Sequence, residues 1–253
     1  MFYTRIPCPK NITHDPDYLN KATRYFPFIG WIVGSISFIA YSLFAQFLYT
    51  ETAVICSIVI SVLTTGAFHE DGFADVCDGF GGGWTKEKIL LIMKDSAIGA
   101  YGAIGLVLLF LLKFRLLSES ILLFQVYDSM AVFKIFLLFI SAHSLSRLAA
   151  ISIIFTHEYS REDASSKSKP IAKQYTWKEV FGSFFFGLIP LIVFSYFDWR
   201  FLLTIIPVFI TRYFLARYFH KWIGGYTGDC LGATQQVCEV VFYLSILFLW
   251  KFI

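Results

Sequence analysis

Apolar runs of 17 to 25 residues, separated by short polar breaks, recur along almost the whole chain and leave few folds open to it. A helix needs about 20 such residues to cross the hydrocarbon core of a bilayer. Inside that core only helices and closed barrels satisfy their own backbone hydrogen bonds. With 57% apolar residues and only 15% charged ones, the 253-residue chain carries more apolar surface than one soluble core can bury. It therefore reads as an all-α, polytopic integral membrane helix bundle, a single domain over residues 1–253 with about seven transmembrane helices and short amphipathic cytoplasmic helices.

The expected spans are 27–49, 52–68, 98–114, 131–155, 180–197, 201–219 and 237–253. Residues 1–26 carry Pro7, Pro9 and Pro16 among polar residues and lack an apolar centre, so a surface segment is expected there and no cleavable signal peptide. The other polar segments are 69–97, the loop 156–178 and a glycine-rich turn at 220–236. Seven spans put 14 Lys and Arg residues on one side and four, Lys113, Arg115, Arg200 and Lys251, on the other. The excess of basic residues places the first side in the cytoplasm. The five cysteines form no C-x-x-C pair, which points to reduced thiols.

The most unusual stretch follows the second span. Asp71, Asp75 and Asp78 are spaced by four and three residues, so on a helix they share one face. Three anions on one strip repel one another, and a divalent cation turns such a cluster into a binding site. Gly72 and Gly79 lie on the adjacent stripe, where a ligand or a neighbouring backbone can come close. Gly81, Gly82 and Gly83 then break the helix. Gly99, Gly102 and Gly105 open the third span at a spacing suited to close helix packing. His69 reads as a helix-end histidine satisfied by hydrogen bonding.

A second glycine-rich stretch, Gly224 to Ala233, has amides able to face an anion, with Asp229 among them as a further metal or base candidate. Gln235 and Glu239 follow on one helical face. Within the fourth span, His143 and Arg147 share a face, and an arginine at that depth must meet an anion, a structural partner or water. Carboxylates, glycine turns and basic residues on one membrane face together suggest Mg²⁺-bound diphosphate chemistry.

These residues carry a resemblance. The blocks Thr4–Pro9, Phe26–Gly30, Gly66–Gly79, Ile92–Gly99, Ser146–Arg147 and Gly225–Ala233 are similar to those of the cobalamin synthase family, the adenosylcobinamide-GDP ribazoletransferases. The likeness covers most of the chain. Two positions depart from the pattern: Glu70 stands where an apolar residue is usual, and Ala97 where an arginine is expected. The resemblance implies transfer of the adenosylcobinamide phosphate group from its GDP-activated form to α-ribazole or its 5′-phosphate, with release of GMP. It implies Asp71, Asp75 and Asp78 as Mg²⁺ ligands and Asp95 or Asp229 as the group that takes the acceptor's proton. Lys94, Arg147 and the turn bearing Gly225, Thr227 and Gly228 become phosphate contacts, with Arg5 and Arg24 as further candidates. The resemblance also implies a bacterial inner membrane. The expected partners are the two substrates and the lipid bilayer, with homo-oligomerisation left open and no nucleic acid.

Two rivals remain at this level. A CDP-alcohol phosphotransferase shares part of the aspartate pattern, Asp75-x-x-Asp78-Gly79, but the Ala-Arg pair expected after it is missing. A transporter would line Lys134, Arg147, Arg212 and Glu239 along a pathway.

Overall fold

The computed structural model describes residues 3–7, 20–127, 130–160 and 175–252. Most of the expected surface segment (8–19) and of the polar loop (161–174) lies outside the described residues. The described chain is helical: α1 Phe26–Phe44, α2 Thr50–Thr65, α3 Phe68–Gly82, α4 Lys86–Ile92, α5 Ala100–Tyr127, α6 Ala131–Ile154, α7 Trp177–Ser195, α8 Ile205–Ile223 and α9 Gly228–Phe252. Short 3-10 turns at Thr23–Tyr25 and Trp199–Thr204 lead into α1 and α8.

Helix α6 is the axis of the bundle. Each of its residues from Leu137 to Ile154 is buried, and α1, α7, α8, α9 and α5 pack around it. The outer helices turn large apolar side chains outward, among them Ile39, Leu43, Ile104, Leu108, Leu111 and Phe214. Lipid tails accept such a surface and water does not.

Among the described residues, five stretches are long and apolar enough to cross a membrane, Asn20–Phe44, α6, α7, Trp199–Ile223 and α9, or six if α2 and α3 form one bent span. The polytopic helical class is as expected, and the count by length and composition is five or six where seven was expected. Residues 52–68 do not run straight through: α2 is 16 residues long and meets α3 at 89°. Gly66 (φ 68°) and Ala67 (φ 59°) both take the left-handed conformation at this corner. That costs a glycine little and an alanine more, so the corner is held from outside. The Arg5 amide donates to Thr64 O at 2.8 Å, and the Arg5 side chain lies over Gly66. The expected span at 98–114 is part of α5, whose 28 residues include Lys113, Arg115 and Glu119. Lys113 is only 5% exposed, so it is an interior cation and not one of the loop charges on the far side.

Candidate functional site

Helix α3 presents three different faces to its surroundings. Gly72 meets α9: a Cβ there would stand 2.9 Å from Asp229 Cα, and one on Gly232 would stand 3.1 Å from His69 O. The glycine stripe thus receives a neighbouring backbone, one of its two expected uses. Farther along that stripe, Gly79 faces Met93 and Ile89 of the α4 segment. Thr85 starts α4 by accepting the Lys88 amide at 3.3 Å.

The opposite edge of the aspartate strip meets α5. Asp78 Oδ2 accepts the Gly99 amide at 2.7 Å and Oδ1 accepts the Gly102 amide at 2.8 Å. A carboxylate against the first turn of a helix satisfies amides that otherwise have no partner and complements the helix dipole. Gly99 and Gly102 lack side chains where Asp78 enters, and Gly105 packs on Cys77 and Phe73. The expected packing role of these glycines is met, and a carboxylate cap is added to it. Asp78 thus carries a structural role beside its place on the expected ligand strip, with one backbone amide on each oxygen. Asp71 is exposed and Asp75 half-buried, on the strip between the N-terminal ends of α9 and α5. Asp95 and Lys94 lie exposed in the turn just before Gly99, where Asp95 Oδ1 accepts the Ala97 amide at 3.1 Å.

The expected turn at 220–236 is much shorter. Helix α8 continues to Ile223, Gly224 caps it with φ 76°, and α9 begins at Gly228. Thr227 Oγ1 accepts the Cys230 amide and donates to Asp229 Oδ2, both at 3.3 Å. Gly225 lies against the Glu158 carbonyl, Tyr226 N donates to Glu158 O at 3.0 Å, and Ser160 N donates to Tyr226 O at 2.9 Å. Gly225 is thus needed for a close crossing of two loops, and only Gly228 stands in open space. Burial pushes the Tyr226 phenol above its usual range, so it stays neutral at this crossing.

Arg147 points into the bundle, as its depth in the expected span requires. It is 1% exposed inside α6; its Nη1 donates to His143 O at 2.9 Å, and its guanidinium lies over the Phe26 ring. Arg24 pairs with Glu179, which closes a capping box with Thr176 at the start of α7. His69 is 2% exposed and its Nε2 has no hydrogen-bond partner among the described residues, contrary to the expectation of a satisfied histidine.

Sequence reasoning missed a buried network below α3. Lys113 Nζ donates to Gln236 Oε1 at 2.7 Å and pairs with Glu239 at 3.2 Å. Gln236 Nε2 donates to Glu70 Oε1 and to Gln235 Oε1, each at 2.9 Å. Gln235 Nε2 donates to Glu239 Oε2 at 2.8 Å, and His143 Nδ1 lies 3.7 Å from the same oxygen. A cavity of about 10 Å³, room for a single water, touches Glu70, Lys113, His143 and Glu239. The available signal was charge balance, because two carboxylates facing Lys113 and Arg147 make a neutral set that a dry interior tolerates. Other membrane-embedded charges are satisfied locally: Lys134 sits over the Phe197 ring and Arg212 donates to Ser152 O at 2.6 Å. They line no shared pathway of the kind a transporter needs.

Among the described residues, no group of three His, Cys, Asp or Glu side chains is arranged to hold a metal ion. The donor chemistry fits Mg²⁺ in a narrower form. Mg²⁺ in phosphoryl-transfer sites is commonly held by one or two carboxylates, with substrate phosphates and waters completing the shell. Asp71 and Asp75, four residues apart on one face of α3, would supply two.

Fold and site together define a multi-pass helical membrane protein whose polar site is assembled from the ends of helices on one side of the bundle. A family model described as cobalamin-5-phosphate synthase matches residues 1–247. A protein of Shewanella piezotolerans named adenosylcobinamide-GDP ribazoletransferase is 46% identical over 246 residues, 97% of this chain and 92% of the relative. A Shewanella amazonensis protein of the same name is 45% identical over 252 residues, 99% and 93% of the two chains. One from Shewanella frigidimarina is 45% identical over 246 residues, 97% and 91%. No solved structure matches. The chain belongs to the cobalamin-5-phosphate synthase family.

Proposed function

We propose that this chain is a Mg²⁺-dependent adenosylcobinamide-GDP ribazoletransferase acting at the cytoplasmic face of the bacterial inner membrane. It joins GDP-activated adenosylcobinamide to α-ribazole or its 5′-phosphate, releasing GMP and forming adenosylcobalamin or its 5′-phosphate. The observation that carries the reading is the aspartate strip of α3 set between the N-terminal ends of α5 and α9. The carboxylates of the strip suit a cation and the N-terminal end of α9 beside them favours an anion, a combination that matches a metal-bound diphosphate.

Asp71 and Asp75 would hold Mg²⁺, which when bound neutralises charge on the diphosphate and on the GMP leaving group. Asp78 fixes the start of α5 against α3 and so sets the width of the cleft. The acceptor hydroxyl attacks the phosphorus next to the corrinoid; the new O–P bond forms as the bond to the GMP oxygen breaks. Asp229 takes the hydroxyl proton. Its backbone touches Gly72, whereas Asp95 lies in an exposed turn and accepts the Ala97 amide. Lys94 and the turn at Gly228, where an added Cβ would meet nothing within 4 Å, contact phosphate oxygens. The Lys and Arg residues clustered in the segments around the site support its placement in the cytoplasm.

The test is purified protein in detergent supplied with the GDP-activated corrinoid, α-ribazole and Mg²⁺. GMP release with formation of the joined product is expected. No GMP release overturns the reading, and CMP release from a CDP-alcohol transfers it to the lipid enzymes.

A further inference from the structure

Gly72 and Gly232 let α3 and α9 approach closely; the roll of α3 about its own axis is held by side chains on either side of that crossing, Asp78 against the start of α5 and Glu70 in the interior. Glu70 stands next to the crossing, 6% exposed, with Oε1 accepting from Gln236 Nε2 at 2.9 Å. Gln236 is itself fully committed: its amide also donates to Gln235 Oε1 at 2.9 Å, and its carbonyl accepts from Lys113 Nζ at 2.7 Å. One residue along a helix is a turn of about 100°, so holding Glu70 inward turns Asp71 outward. Asp75, four residues on, follows Asp71 on the same face.

We propose that Gln236 is a positioning residue for the transfer reaction: through Glu70 it fixes the roll of α3 and aims Asp71 and Asp75 at the metal-bound diphosphate. This rests on the proposed function, in which those two carboxylates serve the metal. Glu70 makes no contact with substrate; it carries the setting from the bundle interior to the strip.

The experiment uses full-length protein in detergent and follows Mn²⁺ binding in the presence of GDP by electron paramagnetic resonance, beside KM and kcat. Gln236→Asn keeps an amide but withdraws it by one methylene, and Glu70→Leu removes the acceptor. Both are expected to weaken Mn²⁺ binding by about tenfold or more, as loss of an orienting partner does at metal sites, and to raise KM for the GDP-activated corrinoid more than they lower kcat. Glu70→Gln keeps the acceptor oxygen and is expected to bind Mn²⁺ like the parent. Should Glu70→Leu not be recovered folded, Gln236→Asn carries the test alone. Unchanged Mn²⁺ binding in Gln236→Asn, or Glu70→Gln as impaired as Glu70→Leu, overturns the inference while the metal reading stands. Parent protein that binds no Mn²⁺ and turns over without a divalent cation overturns the metal reading, and the inference with it.

Discussion

Gly72 and Asp229 meet backbone to backbone: a Cβ added to Gly72 would stand 2.9 Å from Asp229 Cα and 3.0 Å from its carbonyl oxygen. Two segments 157 positions apart in sequence, each rich in glycine and each bearing aspartate, thereby become one site. The contact leaves no room for a side chain, which makes it directly testable. Gly72→Ala must push the start of α9 away from α3, and a displacement near 1 Å at a reacting group costs about a hundredfold in rate. GMP release should fall by about tenfold to a hundredfold. Gly228→Ala, with nothing within 4 Å of the added carbon, should leave the melting temperature in detergent unchanged.

The aspartates of α3 should separate by role. Asp75→Asn is expected to abolish GMP release while the protein remains folded in detergent, as judged by its melting curve and gel-filtration profile. Asp78→Asn presents an NH₂ group to one of the two amides of α5 and should destabilise the fold by about 1–3 kcal/mol. An Asp78→Asn protein that melts like the parent but is inactive would return Asp78 to the ligand set.

Lys113 and Glu239 form a buried pair whose members cannot be removed singly at low cost. Lys113→Met should destabilise by about 3–5 kcal/mol, and Glu239→Gln by a similar amount. The double variant leaves Glu70 facing Arg147, one charge of each sign, and should recover part of the loss. Strict additivity in a double-mutant cycle would show that the pair is not coupled.

Chelation supplies the direct test of the cation. EDTA should stop GMP release and Mg²⁺ should restore it. Ca²⁺, which prefers longer bonds and more ligands, should restore it poorly. Full activity after exhaustive chelation would rule out Asp71 and Asp75 as ligands of a required metal ion.

Much of this molecule could be read in one dimension. Alternation of apolar runs with polar breaks gave the all-helical membrane class, and the aspartate spacing gave the face of α3 that is turned outward. What misled was local composition at two places. Residues 52–68 are apolar enough for a span, yet the chain turns at Gly66 and Ala67 because Arg5, 61 positions earlier, lies over the corner. Residues 228–236 look like a glycine-rich turn, yet they are the first turns of α9, because Thr227 caps that helix and α3 packs against its glycines.

The order of polar and apolar residues determined by itself that the chain is a membrane-embedded helical bundle and which short segments carry its chemistry, because the helical period and the length of a span depend only on local backbone geometry and the thickness of the bilayer. Only the tertiary structure decided that Asp78 caps α5, that Lys113 lies buried, and that Gln236 reaches Glu70. Each of these depends on which helix faces which, and that choice is set by side chains far apart in sequence competing for the same few contacts in the interior.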